Sequence, residues 1–288
     1  MPPAIPILQK TPFARDEKPL TEMSSPHAGL LVTSRVFRSL GIPALIAGNI
    51  DLKRQKRGLI DGQMVESLVL LQTVGGDCVE DMNTIAGDTC LQRGLGYELP
   101  AVNTLRDFLN KFHDEELALL RPPRDEQKSF ILPPSKPLAG LQSVLAGTVR
   151  AIAGVMDRQG CPQTIATVDQ DATIIESHKA AAYPHYDGGR GYQPMVAVWA
   201  EANLVLAAEF RDGNVPARQE PVTCAKMAFD ALPQTVTERY FRGDSGCHER
   251  GLLQWLNSPD REQEPGGRIG FCVSASVSKS LAAELAKI

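Results

Sequence analysis

Between Gln163 and Thr173 the chain reads Q-T-I-A-T-V-D-Q-D-A-T, and this stretch limits the fold more than any other. Ile165, Thr167, Asp169 and Asp171 fall on one set of alternate positions, and Thr164, Ala166, Val168 and Gln170 on the other. A period of two residues predicts a β-strand. Two carboxylates, Asp169 and Asp171, therefore project from the same face. Like charges that close raise each other's pKa unless a cation or solvent lies between them. A second strand-like run, Arg239–Arg242, ends in Gly243-Asp244-Ser245-Gly246. If the two strands are neighbours, three carboxylates meet at one sheet edge, the donor arrangement of a divalent-metal site. The plainer reading is that an Asp before Ser-Gly is a turn residue, and that polar residues along one strand face are solvated.

The rest of the pattern divides the chain. Residues 1–26 are rich in Pro and Ser and read as irregular. Apolar residues recur at helical spacing over His27–Leu40, residues 59–74, Asp77–Ala86 and Asn103–Leu120. Gly41-Ile42-Pro43 is expected to end the first of these helices, and Asp77 to cap the third. An all-helical unit over residues 27–120 is thus predicted, serving either as a DNA-binding domain or as scaffolding. Residues 121–137 carry five prolines among many charges and read as a linker. Residues 138–288 form the second unit. It comprises a helix over Leu138–Met156, the strand above, a polar Gly-rich hairpin extension over Ile174–Gln193, and strands at Met195–Ala200 and Leu204–Phe210. A helix at Val222–Leu232 follows, then the strand bearing Asp244, a helix at Cys247–Leu256, a strand at Arg268–Ala275 and a last helix from Val277 to Lys287. The order βββαβαβα requires a mixed sheet, because strand–helix–strand units make the later strands parallel.

Three motifs carry a resemblance. D-A-T at Asp171–Thr173, H-Y-D-G-G-R-G-Y-Q-P-M at His185–Met195 and R-G-D-S-G at Arg242–Gly246 resemble the DDE transposases of bacterial insertion sequences. The resemblance is good over residues 160–288 and looser over the helical half. It implies an α/β, RNase H-like core with three antiparallel and two parallel strands behind an all-helical N-terminal domain. It further implies Mg²⁺ or Mn²⁺ as cofactor, and transposon-end DNA as partner, bound by a homodimer or higher oligomer. Asp171 matches the first catalytic acid and Asp244 the second, both as metal ligands. Asp169 is an auxiliary candidate outside the D-x-T register. The family's third acid is a glutamate within a Y-x-x-R-x-x-x-E pattern, and no tyrosine follows Tyr240. Glu284, on the last helix, is the remaining candidate, although L-A-A-E-L-A-K reads as the solvated side of an amphipathic helix. The chain is accordingly expected to stop short of the family's complete core.

Candidate phosphate contacts are the basic cluster Lys53, Arg54, Lys56 and Arg57, with Lys179, Arg190 and Arg242 nearer the acids. His178 and His185 are loop histidines, a type that ligates metal less often than not. The formal net charge of −4 does not advertise nucleic-acid binding, so any such binding must rest on local patches. Six cysteines without C-x-x-C spacing suggest neither a zinc site nor a disulfide framework. The N-terminus lacks signal-peptide architecture, and no apolar run is expected to span a membrane. A cytoplasmic protein, nucleoid-associated when on DNA, is the plain expectation. Two other functions fit the sequence: a DNA-binding fragment without catalysis, and an unrelated two-carboxylate hydrolase such as a glycosidase. An aromatic content of 6% is low for a sugar cleft.

Overall fold

Alternation over Ile165–Ala172 does produce a strand, and everything around it is arranged on its two faces. The computed structural model describes residues 24–52, 58–126, 128–263, 266–275 and 279–287. The helical half contains α1 (Leu30–Ser39), α2 (Ile42–Asn49), α3 (Asp61–Thr73), α4 (Met82–Ala86), α5 (Thr89–Leu95), α6 (Val102–Asn110) and α7 (Glu115–Ala118). The second half runs α8 (Lys136–Arg158), β1 (Ile165–Ala172), β2 (Ile175–Glu176), β3 (Tyr183–Pro184), β4 (Arg190–Tyr192), β5 (Met195–Trp199) and β6 (Leu204–Glu209). It continues with α9 (Pro221–Ala231), β7 (Glu238–Gly243), α10 (Arg250–Leu256), β8 (Ile269–Val273) and α11 (Lys279–Leu285).

Five strands make the main sheet in the order β6-β5-β1-β7-β8. β5 is antiparallel to both β6 and β1, whereas β7 is parallel to both β1 and β8. This is a mixed sheet, as the resemblance implies. The hairpin extension forms a second, three-stranded sheet in the order β2-β4-β3.

Several helix boundaries differ from expectation. Gly41 adopts φ 73°, a left-handed conformation open to glycine, and ends α1; a new helix then starts at once. Pro43 sits in the first turn of α2, where its missing N–H is no loss, so Gly-Ile-Pro restarts the chain as well as stopping it. Asp77 is not a cap: its own N–H and that of Cys78 donate to the Asp81 carboxylate, which closes a 3-10 turn ahead of α4. The expected helix over Asn103–Leu120 is broken into α6 and α7, because the Asp114 side chain accepts from the backbone of Glu116 and Leu117. The expected helix over Cys247–Leu256 is a 3-10 turn at Ser245–Cys247 followed by α10, which Glu249 caps.

α8 joins the two halves. Its 23 residues are long and apolar enough to match a membrane span, contrary to expectation. Val144 packs with Phe37, Ile46 and Ile50 of the helical half, while Val149 and Ala153 belong to the core beneath the sheet. Gly147 faces the Leu45 side chain so closely that an added Cβ would stand 2.8 Å from its Cδ2. On the sheet, Ala166 and Val168 of β1, Ala197 and Trp199 of β5 and Phe241 of β7 are buried against α8 and α9. Trp199 is fully buried, and its indole N–H donates to the Ile165 carbonyl at 3.0 Å. Replacing it by alanine removes both the packing and a buried bond. Trp199→Ala is expected to lower stability by about 3–5 kcal/mol, read as a shifted urea midpoint with Trp255 as the remaining reporter.

Candidate active site

The register between β1 and β7 builds the site. Asp169 pairs with Arg242 and Gln170 with Gly243, so Asp171 and Asp244 leave neighbouring strands at the same edge of the sheet. Both are exposed. Together they line a groove of about 340 Å³ on the open sheet face with Thr173, Val196 and Val198, and also a pocket of about 620 Å³ on the other side.

Each carboxylate is oriented by one backbone N–H. Asp171 Oδ1 accepts from Ala172 N at 2.7 Å, and Asp244 Oδ1 accepts from Gly246 N at 2.8 Å. Asp244 thereby caps the 3-10 turn at Ser245–Cys247, not a full helix. The turn is tight: a Cβ on Gly246 would stand 2.9 Å from both the Ala217 Cβ and Asp244 Oδ1. Below the acids lies Gln170, whose amide donates to the Pro221 carbonyl at 2.9 Å. The Cys247 thiol, fully buried, donates to the Gln170 carbonyl at 3.6 Å. Burial first, then the negative charges of Asp244 and Asp171, push that thiol up to about 12. The two carboxylates thus act on one buried sulfur, which is inert as a thiolate nucleophile near neutrality.

Asp169 does not join them. Its two oxygens accept from Arg242 Nε at 2.7 Å and Nη2 at 2.5 Å, a fork-to-fork pair on the open face. The Asp169 hydrogen bond and charge raise the Arg242 pKa further. Among the described residues no three His, Cys, Asp or Glu side chains converge to share a metal, so the expected three-carboxylate cluster is absent there. Asp171 and Asp244 remain hard oxygen donors at one open edge, and they suit one hard divalent cation whose other positions go to water and phosphate. Glu284 lines neither space; it is exposed on α11 and pairs with Lys287 at 2.5 Å.

The other candidates are dispersed. Lys53, Arg54, Lys56 and Arg57 lie outside the described residues. Arg190 donates to the carbonyls of Ala180 and Ala182, and Arg124 donates to those of Ala180, Ala181 and Ala182. Two guanidinium groups thus clamp one backbone segment of the hairpin extension. Lys179 is exposed at the rim of a groove between α7 and that extension. His178 is exposed; His185 is buried at 7% exposure with neither ring nitrogen hydrogen-bonded.

Sequence reasoning passed over the strap between β6 and α9. Arg211, fully buried, donates from Nε to Glu209 at 2.6 Å and from its amino groups to the carbonyls of Gln219 and Glu220. Arg121, at the start of the proline-rich stretch, donates to Asp212 at 2.8 Å. The signal was R-D-G-N at Arg211–Asn214, a charged turn set between an apolar strand and a helix-starting proline.

Residues 21–263 match the family model described as transposase DDE domain, group 1. The chain belongs to this family. The match covers β1, β7 and both candidate acids of the transposase domain and stops before α11, which carries Glu284. Membership removes the two-carboxylate glycosidase from consideration. No curated protein matches this transposase-family chain. It has a likeness to a solved structure described as "Crystal structure of the Mos1 Strand Transfer Complex", at 14% identity over 89% of this chain and 72% of that one, with a TM-score of 0.23. A second, "Crystal structure of a pre-cleavage Mos1 transpososome", gives 12% identity over 92% and 84%, with a TM-score of 0.24.

In this transposase domain Arg211 holds the strap that walls the larger pocket. Removing one member of a buried pair leaves the other charge unpaired, at about 3–5 kcal/mol. Arg211→Met is expected to lose that much stability by urea denaturation, and the double variant with Glu209→Leu to recover part of it.

Proposed function

We infer that this chain carries out transposase-type cleavage and joining of DNA at insertion-sequence ends, with Asp171 and Asp244 as the ligands of a catalytic Mg²⁺ or Mn²⁺. The observation that supports this most is that two oriented, exposed carboxylates stand at the ends of adjacent parallel strands and line one groove. Phosphodiester cleavage requires an oxygen nucleophile, water or a 3′-hydroxyl, to attack phosphorus in line with the departing 3′-oxygen. A bound divalent ion supplies charge neutralisation on the phosphate and a more acidic nucleophile. The protein's part is orientation. The backbone N–H groups of Ala172 and Gly246 each hold one oxygen of an acid. The Asp169–Arg242 pair keeps a second negative charge on β1 neutralised beside the phosphate path.

The domain reading follows the same line. Residues 27–120 hold DNA, residues 121–137 connect, and residues 138–288 carry the chemistry, with the enzyme acting as a homodimer or larger assembly on transposon ends in the cytoplasm. A second reading, DNA binding without cleavage, is favoured by one observation: among the described residues no third metal-ligating side chain joins Asp171 and Asp244. Cleavage assays separate the two.

Asp171→Asn and Asp244→Asn are each expected to cut Mn²⁺ binding, followed by electron paramagnetic resonance, and to reduce any strand cleavage of a transposon-end duplex at least about a hundredfold. Glu284→Gln is expected to leave both unchanged. Cleavage that survives both aspartate substitutions defeats the assignment. Salt-dependent binding with no cleavage by the unsubstituted chain selects the second reading. Alanine at Lys53, Arg54, Lys56 and Arg57 is expected to weaken binding to all sequences alike and to flatten the salt slope by about 0.9 per lost phosphate contact. An unchanged slope assigns that cluster to a solvated turn.

A further inference from the structure

On the buried side of β1 the inward positions are Ala166, Val168 and Gln170, exposed to 0%, 0% and 2%. The first two are ordinary core. The third is a primary amide, one residue before Asp171, at the end of the strand where both acids emerge. Its Nε2 donates to the Pro221 carbonyl at 2.9 Å and reaches the Cys247 sulfur at 4.0 Å. Its Oε1 is buried without a hydrogen-bond partner among the described residues. An unmatched buried acceptor costs free energy that an apolar side chain of similar volume would not. That choice works against stability, which is the pattern of a residue placed for a site and not for the core.

Cys247 completes the arrangement. It is 1% exposed, and its thiol donates to the Gln170 backbone carbonyl at 3.6 Å. Its own N–H donates to the Asp244 carbonyl at 3.0 Å, and the preceding residue, Gly246, supplies the N–H that holds Asp244 Oδ1. A chain of contacts therefore runs from Asp244 through Gly246 and Cys247 to Gln170 and, one residue on, to Asp171. There is little slack in it. A Cβ on Gly243, the ladder partner of Gln170, would stand 2.7 Å from both Cβ and Sγ of Cys247. Pro221 opens α9, so the Gln170 amide ties the same point to the start of that helix.

We propose that Gln170 and Cys247 are positioning residues, a buried polar pair that sets the separation of the Asp171 and Asp244 carboxylates for a divalent ion. The proposal rests on the assignment of those two acids as metal ligands, and the pair acts through them and not on the ion. Two carboxylates on separate segments bind an ion only as well as the distance between the segments is fixed. The last pair of the β1–β7 ladder is Gln170 and Gly243. Beyond it the Cys247 thiol carries the link from the turn after Asp244 back to β1. Supporting groups of this kind, one bond removed from the ligands, are worth about ten- to a hundredfold in metal affinity.

The test is the Mn²⁺ dissociation constant of the full chain by electron paramagnetic resonance, set beside the urea midpoint of each variant. Gln170→Met removes the unpartnered acceptor and is expected to leave the midpoint unchanged or raise it, while weakening Mn²⁺ binding about tenfold. Cys247→Ala is expected to weaken binding to a similar degree, and Cys247→Ser, which restores a donor, to recover part of it. Cys224→Ala is the control. That thiol is equally buried in the same core and donates to the Met195 carbonyl at 3.7 Å, so its loss is expected to lower the midpoint and leave Mn²⁺ binding intact. Mn²⁺ binding that Asp171→Asn abolishes, but neither Gln170→Met nor Cys247→Ala weakens, overturns the positioning role and leaves the metal assignment standing. A loss that Cys224→Ala reproduces in full does the same. Mn²⁺ binding indifferent to Asp171→Asn overturns the metal assignment, and the positioning role with it.

Discussion

The parallel pairing of β1 with β7 is the constraint on which the rest depends. Two strands some seventy residues apart come into register from Ile165 opposite Glu238 to Gln170 opposite Gly243. Parallel neighbours need a crossover, and here β5, β6, the strap and α9 form it, with α9 lying across the sheet. Because partners in register project to the same side, the pairing decides two things at once. It joins Asp169 to Arg242, and it brings Asp171 and Asp244 out at the same edge. A slip of one residue would exchange the buried and open faces of β1 and drive Asp169 and Asp171 into the apolar core.

Around that edge, arginine is used mainly as a structural donor. Arg124 and Arg190 satisfy backbone carbonyls of the hairpin extension, Arg121 pairs with Asp212, and Arg211 ties the strap to Glu209 and to the start of α9. A guanidinium carries five donors in a fixed fork, so one side chain can close a loop that has no ladder of its own. The proline-rich stretch is therefore stitched to the second half by side chains. Glu209 shows what this costs. Burial raises its pKa despite the adjacent Arg211, so the pair is held by geometry in surroundings that disfavour charge.

Much of the framework was legible in the residues. Period-two alternation marked β1, and the apolar runs marked β5 and β6, because a half-buried sheet needs one dry face. Pro221 marked the start of α9 through its fixed φ and missing N–H. The failures are local. Gly41-Ile42-Pro43 was read as a stop, since glycine in the left-handed region and proline in a first turn suit both an ending and a beginning. Asp81 and Asp114 capped from positions that looked like helix interior, because a short carboxylate bonds whichever N–H the turn presents.

By itself the sequence determined the order of strands and helices along the chain, the two aspartates as candidates, and the motifs that carry the family resemblance, because periodicity and motif spacing are properties of the chain taken in order. The tertiary structure alone decided which charges remain open. Asp169 looked like a partner for Asp171 until the register set Arg242 against it, and Arg190, a candidate phosphate contact, turns Nε and Nη2 to backbone carbonyls of its own hairpin. Cys247 and the strap came to the edge of the site in the same way. Charge neutralisation falls off over a few ångströms and hydrogen bonds over less, so who meets whom is settled by packing between distant segments, which no local pattern encodes.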